Sequence, residues 1–122
     1  MKKYIAIFLL GVILCQGCGK REDDITKLAF VTNAYDMAYD YFNSEKVFQF
    51  DVNAGESIHL DVVCDTGSIE VKIVDLDDNP IYQQTLTVSL TEDIKVEKTG
   101  RYIAIMTGNE TAGEIQIRIK EE

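Results

Sequence analysis

From Val47 to Lys120 the apolar residues recur at every second position, and this period limits what the chain can become. In "VFQFDV" Phe48, Phe50 and Val52 share one side. In "SIHLDVVC" Ile58, Leu60, Val62 and Cys64 do so, and in "SIEVKIVD" Ile69, Val71 and Ile73. "EIQIRIK" repeats the pattern, with Ile115, Ile117 and Ile119 on one face and Gln116, Arg118 and Lys120 on the other. A period of two gives a strand with one buried and one wet face, the mark of an antiparallel sheet. Turn-forming stretches separate the runs at "NSEK", "NAGE", "DTGS", "DLDDNP", "LTED", "EKTG" and "GNETAG". That spacing predicts an all-β fold, an antiparallel β-sandwich of seven to eight strands. No βαβ pattern or internal repeat is present.

The segment before this region fits two templates. Leu28, Val31, Tyr35, Ala38, Tyr39 and Phe42 fall at helical spacing, whereas Tyr35, Met37, Tyr39 and Tyr41 fall on one side of a strand. The strand is favoured, from about Ala34 to Phe42. "NSEK" after it is turn-like and leads into the strand at Val47, which together would make a hairpin.

The N-terminus belongs to a different class. Lys2 and Lys3 precede an apolar run from Tyr4 to Leu14, too short for a membrane-spanning helix of about 20 residues and typical of an export signal helix. Two cysteines follow. Cys15 comes after bulky Leu14, and Cys18 comes after small Gly17. The Gly17-Cys18 pair resembles the lipobox of bacterial lipoproteins, in which the cysteine after a small residue is diacylated and becomes N-terminal. Cys15 departs from that pattern, standing where leucine is usual. The resemblance implies a signal peptide over 1–17 and a lipidated cysteine with a polar tether over 18–33, an ordinary cleaved signal or an uncleaved anchor being the alternatives; the period-two runs place the sandwich over 34–122. The lipobox resemblance also implies attachment to the cell membrane through diacylglycerol on Cys18, on the extracytoplasmic face. Extended, "GKREDDITK" would reach roughly 30 Å at about 3.3 Å per residue.

Cleavage before Cys18 would remove two of the 12 basic residues and none of the 21 acidic ones, leaving a net charge of −11. So acidic a surface is repelled by nucleic acid and by anionic headgroups, which excludes nucleic-acid binding and leaves the acyl chains as the anchor. Of three cysteines only Cys64 would remain free in the domain. Its phase with Ile58, Leu60 and Val62 predicts a small buried residue; a reactive thiol would need a nearby cation that the local sequence does not supply.

"EKTGRYIAIM" resembles the tyrosine corner of immunoglobulin-like sandwiches, in which the phenol bonds back to an upstream backbone group. Lys98 stands where an acid is usual four residues before Tyr102. The corner implies that Ala104 and Met106 face the core and Ile103 and Ile105 face outward, either beneath the 28–42 segment or as an exposed stripe for a partner. From about Lys46 to Lys120, the order of strands and the turn glycines Gly55, Gly67, Gly100 and Gly113 resemble the jelly-roll-like pre-peptidase C-terminal domain and related modules of exported proteins. That resemblance implies a non-catalytic role in attachment or binding.

Sites for chemistry are few. His59, the sole histidine, alternates out of phase with Ile58 and Leu60 and should face solvent, and one histidine cannot build a His-based metal cluster. Asp75, Asp77 and Asn79 in "DLDDNP" have the one-three-five spacing of a calcium loop. Pro80 stands where that loop needs glycine, and Leu86 where it needs its distal glutamate, so a hairpin turn is the expectation and the three residues are a weak metal candidate. "NET" at Asn109 reads as a turn. GxSxG, HExxH, P-loop and GxGxxG motifs are absent, so neither an enzyme nor a cofactor is expected. The sequence therefore points to a membrane-anchored, non-catalytic interaction or binding module with a protein or envelope component as partner. The alternative is a carbohydrate-binding module taking polysaccharide on Tyr35, Tyr39 and Tyr41. Exposed coplanar tyrosines would favour sugar; an apolar stripe such as Ile103 and Ile105 would favour protein.

Overall fold

A computed structural model describes residues 22–121. The expected signal peptide, its cleavage site at Gly17-Cys18, and Cys15 lie outside the described residues. Seven strands follow in order: β1 (Asp24–Val31), β2 (Ala34–Phe42), β3 (Glu45–Val52), β4 (Ser57–Asp75), β5 (Pro80–Leu86), β6 (Leu90–Lys95) and β7 (Gly100–Lys120). All pairings are antiparallel.

Two long strands organise the sheet. β4 and β7 pair along their whole length, from Ser57 opposite Lys120 to Asp75 opposite Tyr102. On one half, β7 carries β2 and then β1, and β4 carries β6. On the other half β7 carries β3 and β4 carries β5. "DTGS" and "GNETAG", expected as chain-reversing turns, are instead bends within β4 and β7. The register slips between Cys64 and Ser68, where the two bends face each other. Gly67 sits there at φ +66°, and a Cβ on it would overlap the carbonyl oxygen of Glu110. Only glycine fits a left-handed backbone pressed against another strand. Gly113 is held in the same way against the carbonyl of Val63.

The bends fold the continuous sheet on itself into two layers around one core. Leu60, Val62, Ile115 and Ile117 from the first half and Ile69, Val71, Ile73, Ala104 and Met106 from the second belong to one buried cluster. Tyr35 of β2 and Phe48 of β3 lie on strands that do not pair with each other, yet their ring centroids are 4.8 Å apart across the layers. The period-two pattern is thus realised as expected, with alternate residues of both layers pointing inward.

The start of the domain differs from expectation. Within the span expected as tether, Asp24–Val31 is a strand paired with β2. The Asp23 carboxylate accepts hydrogen bonds from the Asn43 amide at 2.7 Å and from the Ser44 hydroxyl, tying the first described residues to the loop before β3. The β1–β2 hairpin turns on Thr32-Asn33, with Asn33 at φ +66°, a conformation asparagine tolerates through its short polar side chain. The hairpin expected between β2 and β3 does not form, because the two strands pair with different halves of β7.

β2 itself spans Ala34–Phe42 as expected and is a strand, not a helix. A register shift between Tyr39 and Phe42 inserts one residue, so Phe42 rather than Tyr41 continues the inward row and is fully buried.

Candidate functional site

Tyr35 and Tyr39 are 4% and 2% exposed and point into the core, so they present no stacking face to a sugar. Burial raises the Tyr35 pKa, and raises that of Tyr39 further still, as expected of phenols cut off from water. Tyr41 is half-buried beside the bulge. Tyr35 and Tyr39 are therefore core packing, and with Tyr41 half-buried the row offers no coplanar exposed pair.

Tyr102 does form the corner. Its hydroxyl donates to the Lys98 carbonyl oxygen at 2.6 Å, and Ala104 and Met106 face inward, fully buried. Ile103 and Ile105 lie on the outer face, half-buried. They are flanked by β3 and β4, opposite Gln49 and Val74 for Ile103 and opposite Val47 and Lys72 for Ile105. The 28–42 segment pairs with the other half of β7, so it does not cover them through that pairing.

His59 lies on the outer face as its phase requires, but it is not free. Its Nδ1 is 2.6 Å from the Asp93 carboxylate, and that hydrogen bond holds the Asp93 carboxyl below the usual carboxylate range. Alongside, the Arg118 guanidinium sits 2.7 Å from Asp36 as an ion pair, although the geometry at that oxygen falls short of a hydrogen bond. These charges cross the outer face of the first layer as paired residues, not as a converging site.

The "DLDDNP" carboxylate is also committed. Asp75 Oδ1 accepts from the amides of Asn79 and Asp77, both at 2.9 Å, and the Asn79 bond is the main reason its pKa is lowered. Asp75 therefore closes the β4–β5 turn on itself. Among the described residues no group of three or more His, Cys, Asp or Glu side chains is placed to hold a metal ion. Cys64 is buried, as its phase predicted, with its sulfur within 3.5 to 3.8 Å of the Thr66, Gly67 and Leu86 carbonyl oxygens and the Thr111 hydroxyl.

The exposed apolar surface gathers elsewhere. Leu28, Phe30 and Val31 of β1 are 48%, 64% and 68% exposed, and Val47 of β3 is 54% exposed. Leu28 and Phe30 project on the core side of β1, opposite Met37 and Tyr35, but β1 overhangs the edge of the core, so they are not covered. With Tyr35 and Phe48 as floor, they line a groove of about 280 Å³ between β1 and β3. Phe30 stacks on Tyr35 at 6.5 Å and meets Phe48 edge-on at 6.4 Å, so the aromatic core continues to the surface here. Lys46 and Gln49 supply the polar lining. Burying one such side chain completely is worth about 1.5–3 kcal/mol, so covering these half-exposed ones offers a partner several kcal/mol of gross stabilisation.

The sequence pattern does not mark this groove, because residues 28–31 lie within the span expected as a tether and show no period-two alternation. Two other signals point to it: the uninterrupted apolar run "LAFV", and the asparagine after it that closes a hairpin.

No protein-family model matches the chain, and no curated protein matches it in sequence. Its architecture has counterparts among solved structures. The pre-peptidase C-terminal domain of a collagenase from Bacillus anthracis is similar with a TM-score of 0.52 and 14% identity, over 74% of this chain and 90% of that one. A CBM4 structure aligns at TM-score 0.46 and 12% identity, over 82% of this chain and 78% of that one. TmCBM61 in complex with beta-1,4-galactotriose aligns at 0.44 and 19%, over 71% and 67%. The first likeness places the chain among β-sandwich modules of the kind expected from its strand and turn order, and at this identity it is a likeness of fold alone.

Proposed function

We propose that the protein is a lipid-anchored, extracytoplasmic interaction module that binds an envelope protein and carries out no catalysis. The apolar groove between β1 and β3 carries this reading. It is the place where aromatic core reaches solvent, and contiguous exposed apolar residues mark contact surfaces. The anchoring half rests on Gly17-Cys18 and on the strongly acidic charge, which leaves acyl chains as the means of attachment. The non-catalytic half is supported by the commitment of the obvious reactive groups: His59 to Asp93, Asp75 to its own turn, and Cys64 to the buried bend.

Polysaccharide binding is the weaker reading. Tyr35 and Tyr39 are buried, and the groove presents only Lys46 and Gln49 to a ligand whose recognition needs many hydrogen bonds. Two experiments test the proposal. In membrane fractionation, Cys18→Ala should release the protein while Cys15→Ala leaves it attached; the opposite pattern would overturn the anchor assignment. In crosslinking on intact cells, the wild type should capture a discrete protein that Phe30→Asp fails to capture, and equal capture by both would remove the groove from the account.

A further inference from the structure

Four strands of the sandwich, β1, β3, β5 and β6, are paired along one side only. An unpaired edge is a template for another strand, and stable β proteins blunt it with charge, proline or irregularity. Two of these edges, β3 and β6, are blunted by charge, and β5 is blunted only at its start, its later uncharged stretch Tyr82–Thr85 being mostly polar rather than apolar. β5 opens on Pro80, β6 carries Glu92, Asp93 and Lys95, and β3 carries Glu45, Lys46 and Asp51. β1 is blunted only in its first half, where Asp24 and Lys27 flank a bulged register. From Leu28 to Val31 it is in regular register, without charge, proline or bulge, and its outer edge has no strand partner among the described residues.

That unprotected edge borders the groove, whose opposite wall is the free edge of β3. A single charge lines the space. Lys46 is half-buried and makes no ion pair among the described residues, in a chain of net charge −9. The complement of this surface is an extended backbone with apolar side chains at alternate positions and a carboxylate.

We propose that the groove receives an extended segment of the partner protein, added as a strand to the Leu28–Val31 edge of β1. Apolar side chains enter between Phe30 and Phe48, and an aspartate or glutamate meets Lys46. The proposal rests on the interaction-module reading and specifies its partner. A second copy of the chain fits less well, because neither of its uncharged edge stretches, Leu28–Val31 of β1 and Tyr82–Leu86 of β5, contains an acid for Lys46. A lipid surface fits less well too, since hydrocarbon would leave the open strand edge unsatisfied.

The test is selection of short random-sequence displayed peptides on the full-length protein, with Phe30→Asp as counter-target. Enriched peptides should alternate apolar residues with at least one acid, bind Phe30→Asp at least about tenfold more weakly, and slow hydrogen exchange at the amides of residues 28–31. Lys46→Glu should exchange the acidic preference for a basic one, which also covers the case in which Phe30→Asp perturbs folding. No enrichment, an enriched set indifferent to Phe30→Asp, or an unchanged preference in Lys46→Glu would overturn the proposal. So would a dimer in sedimentation that Phe30→Asp dissolves, or competition by phosphatidylcholine–phosphatidylglycerol vesicles. If peptides fail while crosslinking on cells still captures a protein through Phe30, strand addition is wrong and the interaction module stands.

Discussion

The Tyr102 hydroxyl donates a 2.6 Å hydrogen bond to the carbonyl oxygen of Lys98, closing the turn that leads into β7. The bond fixes which residues of the following strand face inward, since Ala104 and Met106 share the side of Tyr102. Tyr102→Phe keeps the ring and removes the donor, so a destabilisation of about 1 kcal/mol is expected from urea unfolding, the usual net worth of such a bond. An unchanged midpoint would show that the turn is held by its backbone alone.

Alkaline pH should unfold the protein cooperatively. Tyr35, Tyr39, Tyr82 and Tyr102 all have raised pKa values, chiefly from burial, with Tyr82 pushed up to about 12 by burial and by Glu92. Their unfolded counterparts titrate near 10. Between those values the unfolded chain binds fewer protons than the folded one, so stability is complete below about pH 10 and falls as pH rises. Urea midpoints across that range, followed with tyrosinate absorbance, check the sign. Stability that is flat through pH 11 would contradict it.

Asp75 gives the opposite dependence. Its lowered pKa means that its contribution is present above the ordinary carboxylate range and lost as pH falls through the folded value, and Asp93 behaves alike through His59. Asp75→Ala should lower the urea midpoint at neutral pH and flatten its decline in acid. Because the carboxylate caps its own turn, millimolar calcium should leave the thermal midpoint of the wild type unchanged.

Gly67→Ala places a side chain in the left-handed region against the Glu110 carbonyl, at the bend that folds the sheet in two. A loss of about 1–3 kcal/mol or more is expected in denaturant unfolding. Gly55 also has positive φ, but open space lies around its Cβ position, so Gly55→Ala should cost less. Equal losses would mean that backbone strain, and not the close strand, sets the cost at Gly67.

Much of this architecture was legible because period-two burial is local. Ile58, Leu60, Ile69, Val71, Ile115 and Ile117 each declare their face through their immediate neighbours. The bulge at the end of β2, which turns Phe42 inward in place of Tyr41, was not legible, because it depends on pairing with β7 more than 60 residues away. Nor was the continuity of β4 through "DTGS", since the same glycine serves a hairpin or a bend and only the strand crossing at Glu110 decides. The groove was missed for a related reason. β1 has four exposed apolar residues in a row and so no alternation to mark it, and an edge that awaits a partner lacks the burial pattern on which sequence reading depends.

The most direct test of a binding groove on an anchored module is site-specific photo-crosslinking in intact cells. A photoreactive residue at Val47, in the groove wall, is compared with one at Gln84, exposed on β5 beyond β4 and β7. A discrete adduct from position 47, absent from position 84 and abolished by Phe30→Asp, is the expected result. No adduct from position 47, or the same adduct from both positions, would contradict the account.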